Sequence, residues 1–173
     1  MSHQVADAVA EIAAPLEELL AGCDHVVSIY LCGVTEAGEP SRAPVELAGA
    51  LYTASGIPLC PAVAERVGRP WRDRLHQLVH AQIPTVRSWP PKDPPELELS
   101  ADEIERVTAL TDDLAEVLEA HLGPVRRAYE LSSHGGSYRE IPPDMCCSHD
   151  IVWNDLLLVT KAWATLLHIG LSD

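Results

Sequence analysis

Residues 149–170 read HDIVWNDLLLVTKAWATLLHIG, and the fold class rests on how they are understood. Stepped at about 100° per residue, Asn154, Lys161, Thr165 and His168 share one arc of about 60°, and nearly everything else is apolar. A helix apolar round most of its circumference belongs at the centre of a core. The segment is therefore expected to be a buried helix surrounded by the others, which makes the chain an all-α, single multi-helical domain over residues 1–173.

The flanking sequence supplies helices for that bundle. Residues 3–21 set Val5, Val9, Ile12, Leu16, Leu19 and Leu20 on one face, with Pro15 expected to kink or split the helix. Residues 25–35, HVVSIYLCGV with its flank, fit a helix behind an Asp24 cap, although the β-branched content also suits a strand. Helix is preferred because no partner strand is evident, and a lone strand leaves its backbone groups unpaired. Pro44, Pro61 and Pro70 open helices at about 44–54, 61–67 and 70–82, where a missing N–H costs least. Residues 84–100, containing SWPPKDPP, form a stiff connector. Ser100 and Glu103 make a capping box for a helix over about 101–122, ended by Gly123-Pro124 with a shorter helix to about 131. Residues 132–148 form a long loop.

The chain has 173 residues and a formal net charge of −14. Phosphate backbones and anionic lipid surfaces repel such a protein, so neither general nucleic-acid binding nor membrane binding is expected. No apolar run reaches the roughly 18–20 residues of a membrane span, and the acidic N-terminus does not read as an export signal. The five cysteines, odd in number and without a CxxC pair, read as reduced thiols of a cytoplasmic protein. Arginine in place of lysine, with abundant alanine, is the bias of a GC-rich bacterial genome.

Four groups of residues could carry chemistry. The first is the loop 132–148, because structureless loops of that length are often functional. Cys146 and Cys147 would stand just before a helix N-terminus, where a thiol pKa falls, with His149 as base and Asp155 lining the same pocket. His134, Tyr138 and Arg139 would contact a small-molecule ligand. The competing reading is inert core thiols, and Cys146, Cys147 and His149 could also take a soft metal. The second is Asp73, His76 and His80, which share one face of a helix at the spacing of a divalent-metal site. Arg69 and Arg72 beside them disfavour a cation, and no HExxH is present. The third is Asp155 itself, a carboxylate on an apolar face that calls for an arginine from 61–82, a metal, a polar ligand or local backbone N–H groups. His121, on the apolar stripe at a helix end, reads as a satisfied core histidine. No Gly-rich phosphate loop, GxSxG, EF-hand or dinucleotide fingerprint occurs.

The fourth group is a charge pattern. Between Glu96 and Glu119 nine acids stand against Arg106 alone, whereas between Glu65 and Asp93 six bases stand against three acids. The two segments can pack on one another or meet across the two-fold axis of a homodimer, and the acids can form a merely solvated face or a docking surface for a basic protein partner. The expected function is an acidic helical binding protein engaging such a partner through residues 101–119. The alternative is a small metal- or thiol-dependent enzyme, or ligand-binding protein, with its pocket between the loop 132–148 and the last helix. Whether the chain is an enzyme stays open, because no complete catalytic constellation can be assembled from the sequence.

Overall fold

A turn without glycine, asparagine or proline organises the fold. The computed structural model describes residues 2–21, 26–38, 42–55, 63–68, 70–84, 97–132 and 150–172. In chain order these form α1 (Ser2–Leu20), β1 (Val26–Glu36), α2 (Pro44–Ala54), β2 (Val63–Arg66), α3 (Trp71–His80), α4 (Ala101–Leu122), β3 (Arg127–Ser132), β4 (Asp150–Val159) and β5 (Trp163–Ser172). The strands make one antiparallel sheet in the order β1-β5-β4-β3-β2. The expected all-α bundle packed around a C-terminal helix is therefore wrong: the stretch expected to be its central helix is the central hairpin of a sheet.

The reason lies in the double burial of that hairpin. Leu156, Leu158, Leu167 and Ile169 pack into a core with α1, α3 and α4, while Leu157, Val159, Ala164 and Leu166 pack on the other face with α2. A strand covered on both faces shows no apolar–polar alternation, so its sequence reads like a buried helix. The turn hides its signal as well. Two-residue hairpin turns usually need positive φ, yet no non-glycine residue among those described has one. Thr160 replaces that geometry with side-chain bonds: its Oγ1 accepts the N–H groups of Ala162 at 3.3 Å and Trp163 at 3.0 Å, while Thr160 N–H donates to the Trp163 carbonyl at 2.8 Å.

Once the hairpin is a hairpin, the other misread segments follow. β1 has a partner after all, β5, so residues 25–35 hold a strand. Residues 61–67 hold the four-residue edge strand β2, and 124–131 run into β3, which sits between β2 and β4. A bulge in β1 between Leu31 and Gly33 brings α2 close. A Cβ on Gly33 would lie 3.2 Å from Ser55 Oγ, and its φ is +153°, so glycine serves both demands.

The helices come out much as their patterns require. α4 has the capping box of Ser100 and Glu103 and ends at Gly123, with φ +84°. α1 runs unbroken through Pro15 rather than splitting. Val5, Val9, Leu16 and Leu20, all buried, lie on both sides of the proline, and their packing offsets a lost backbone bond and ring clash worth about 3 kcal/mol. α1 also covers the free edge of the sheet: Glu17 Oε1 accepts the Ile29 N–H of edge strand β1 at 2.5 Å. An edge donor that could recruit another strand is thereby occupied by a charged group.

Two outcomes are expected. Replacing Thr160 with Val should cost about 1–3 kcal/mol in urea unfolding, because it removes both bonds that Oγ1 accepts and the one it donates to the Trp163 carbonyl at 3.2 Å. Glu17→Ala should uncover the β1 edge and give concentration-dependent association by sedimentation, whereas Glu18→Ala, one residue on and exposed, should not.

Candidate functional site

The antiparallel register places Asp155 of β4 directly across from His168 of β5. Both side chains point to the α2 face. There His168 Nδ1 lies 2.7 Å from Asp155 Oδ1, and Tyr52 on the inner side of α2 donates its hydroxyl to Asp155 Oδ2. β1 adds Tyr30, whose ring stands over the imidazole with centroids 4.6 Å apart and planes 32° from parallel. Cys32, in the β1 bulge, is buried on the same side. Asp155, Tyr52 and His168 are only 0%, 1% and 4% exposed, whereas Tyr30 is 38% exposed.

Its electrostatics suit a structural anchor. Burial first, and then the Asp155 charge, push the Tyr52 hydroxyl far above its ordinary range, which keeps it a proton donor. The same two causes raise the Cys32 thiol, so it is neutral at physiological pH and no thiolate nucleophile. A carboxylate against imidazole Nδ1 fixes the orientation of the ring, as in catalytic triads, and can stabilise positive charge on it. The cluster can thus hold an imidazole in place and tie α2 to the hairpin.

The partners of Asp155 are Tyr52 and His168 rather than the arginine, metal, ligand or local backbone N–H groups that its sequence position suggests. On a helix His168 belongs to the polar arc away from Asp155, which is why the pair was missed. One signal was present: Asp155 and His168 stand at equal distances on either side of Lys161-Ala162, so a hairpin centred there sets them face to face.

Of the Asp73, His76 and His80 group, the two histidines do share one side of α3, with ring centroids 6.1 Å apart. That side meets α4. His76 Nε2 is 2.9 Å from Asp112 Oδ1 and His80 Nε2 is 3.2 Å from Thr108 Oγ1, while Asp73 is exposed. Among the described residues no group of three or more His, Cys, Asp and Glu is arranged to hold a metal. His121 is exposed rather than in the core. Cys146, Cys147, His149, His134, Tyr138 and Arg139 lie outside the described residues.

The described parts of the basic and acidic segments pack on one another, one of the arrangements expected for them. Glu119 of α4 is the hub: Arg72 Nη2 lies 2.6 Å from Oε2, and the Trp71 indole N–H and Val125 N–H reach Oε1 at 3.3 and 3.2 Å. Burial works against the ionised carboxylate, but these donors outweigh it and hold Glu119 below its usual range. Arg74 clamps Glu130 of β3 through two bonds of 2.9 and 2.6 Å. No known protein family, curated protein or solved structure matches the chain.

Removing Asp155 as Asp155→Ala should be the costlier change in the anchor, at about 3–5 kcal/mol, because it strips the acceptor from two buried donors. Tyr52→Phe should cost about 1–3 kcal/mol. Equal small losses in urea unfolding would show that the cluster anchors nothing. The pH dependence has a separate source. Burial and then His76 lower the His80 pKa below 6.5, so the unfolded chain takes up that proton first on acidification. Stability should fall as pH drops through 6.5 towards the folded value, and His80→Gln should flatten that part of the profile.

Proposed function

We propose that the protein is a cytoplasmic binding protein that engages a basic protein partner through the outer side of α1 and α4. The observation that carries this reading is the sorting of the acids. α1 and α4 pack side by side. Their outward residues include Asp7, Glu11 and Glu18 on α1 and Asp102, Glu103, Glu105, Asp112, Asp113 and Glu116 on α4, all exposed, with Arg106 the one Lys or Arg of either helix. The arginines of α3 are held by Glu119 and by Glu130 of β3, and His76 meets Asp112 at the inner margin. Glu105, Asp113 and Glu116 are left without an ion-pair partner among the described residues.

The seam between the helices adds shape to the charge. A cleft of about 350 Å³ is lined by Pro15, Glu18, Leu19, Leu99, Glu103 and Arg106. It offers apolar walls for the stem of a long basic side chain and a carboxylate for its head. A like-charged surface of this density repels nucleic acid and steers a basic surface towards it. No helix among the described residues is long and apolar enough to cross a membrane, and Cys32 is a free buried thiol; both accord with a cytoplasmic setting. Catalytic use of the His168–Asp155 pair is disfavoured by its enclosure.

The test reverses charges that hold nothing else in place: Glu11, Glu105, Asp113 and Glu116, each to Lys. Glu119 and Asp112 are left alone, since they bind α3. Affinity capture from the producing cells, followed by stopped-flow binding to the recovered partner, should give an association rate that falls with salt. The reversed protein should keep its circular dichroism and lose about tenfold or more in that rate. Undiminished recovery and rate would reduce the face to a solubility device.

A further inference from the structure

The sheet's far end carries the opposite charge. A cleft of about 220 Å³ opens where β2, α3 and the start of β3 meet, lined by Arg66, Trp71, Val125, Arg126 and Arg127 among others. Three arginines line one small concavity in a chain where acids outnumber Lys and Arg by 26 to 12. With carboxylates in such excess, arginines usually find one, and the neighbours did: Arg72 holds Glu119 and Arg74 holds Glu130. Arg66 and Arg126 are exposed and have no carboxylate partner among the described residues. Glu119 is already taken by Arg72, Trp71 and Val125, and Glu130 by Arg74.

The mounting is rigid. Val67 N–H donates to the Ala128 carbonyl and Arg126 N–H to the Val159 carbonyl, each at 2.9 Å, so both unpaired arginines spring from backbone tied into the sheet. The cleft shares Arg66 and Val67 with a second one of about 290 Å³, where Glu65, Arg74 and Glu130 mix both signs. Positive charge is unmatched only in the first.

We propose that this cleft binds a small phosphate-bearing ligand, with Arg66 and Arg126 as its principal contacts. Guanidinium presents paired N–H groups that match phosphate oxygens, and two of them converging on one site recognise a dianion better than a single carboxylate. The volume admits a phosphate group with a small substituent and excludes a folded partner surface. The site is independent of the acidic face on α1 and α4, so either can fail without the other.

The probes are inorganic phosphate and pyrophosphate, titrated into the intact ¹⁵N-labelled chain at low salt, with the Arg Nε and Trp Nε1 signals followed by NMR. Saturable shifts are expected at Arg66, Arg126 and Trp71. The Arg66→Gln/Arg126→Gln protein should bind about tenfold or more weakly, while Arg106→Gln, on exposed α4, should bind as the parent does. Retained amide dispersion in the double variant shows that lost binding is not lost fold. The proposal is overturned if phosphate and pyrophosphate give no saturable shift, if the double variant binds as tightly as the parent, or if Arg106→Gln weakens binding equally. Tighter binding of hexaglutamate than of pyrophosphate would also overturn it, in favour of an acidic-peptide site.

Discussion

The pairing of β4 with β5 is the constraint on which the other elements depend. Both strands are covered on both faces, so their outer N–H and C=O groups have no water to turn to and must be met by another strand. β1 does this for β5 and β3 does it for β4. The helices then divide between the two faces that the hairpin leaves apolar, with α1 and α4 on one and α2 on the other. The tip that allows this is held by one threonine, whose side chain does the work that positive φ does in most hairpins.

Polar groups at the seams fix how these layers sit. Asp155, a fully buried carboxylate of β4, is met from α2 by Tyr52 and from β5 by His168. Apolar contacts alone would let α2 slide along the sheet; a buried carboxylate with two assigned donors tolerates one position. Glu119 plays the same part for α3, α4 and the turn into β3. Glu17 does so at the edge, where it joins α1 to β1. Acids that perform these tasks are half-buried or buried. Many of the exposed acids that remain lie on the outside of α1 and α4, while Arg66 and Arg126 stand near β2 and β3.

The four helices were legible because each carries its own evidence. α4 has a capping box, a stripe at helical spacing and a terminal glycine; α2 and α3 start at or just after a proline; α1 shows its face through Pro15. Such signals act within a turn or two of chain. The strands carry none of this. β4 and β5 are apolar on both faces, β1 reads equally as helix, and β2 has four residues. β1 looks partnerless in the sequence because its partner, β5, has the apolar pattern of a helix. One misjudged hairpin thus displaced every strand. The same fault hid the site: Asp155 was recognised as a costly buried acid, but its donors lie 103 and 13 residues away in the chain.

By itself the sequence determined the helices, the caps, the acidic balance and the need for a partner at Asp155, because propensity, capping and net charge are properties of short segments or of composition. The sheet, its strand order and the Tyr52–Asp155–His168 cluster were decided only in three dimensions. Strand pairing is a contact between distant segments, and a strand apolar on both faces acquires its identity from the neighbours that hydrogen-bond to it.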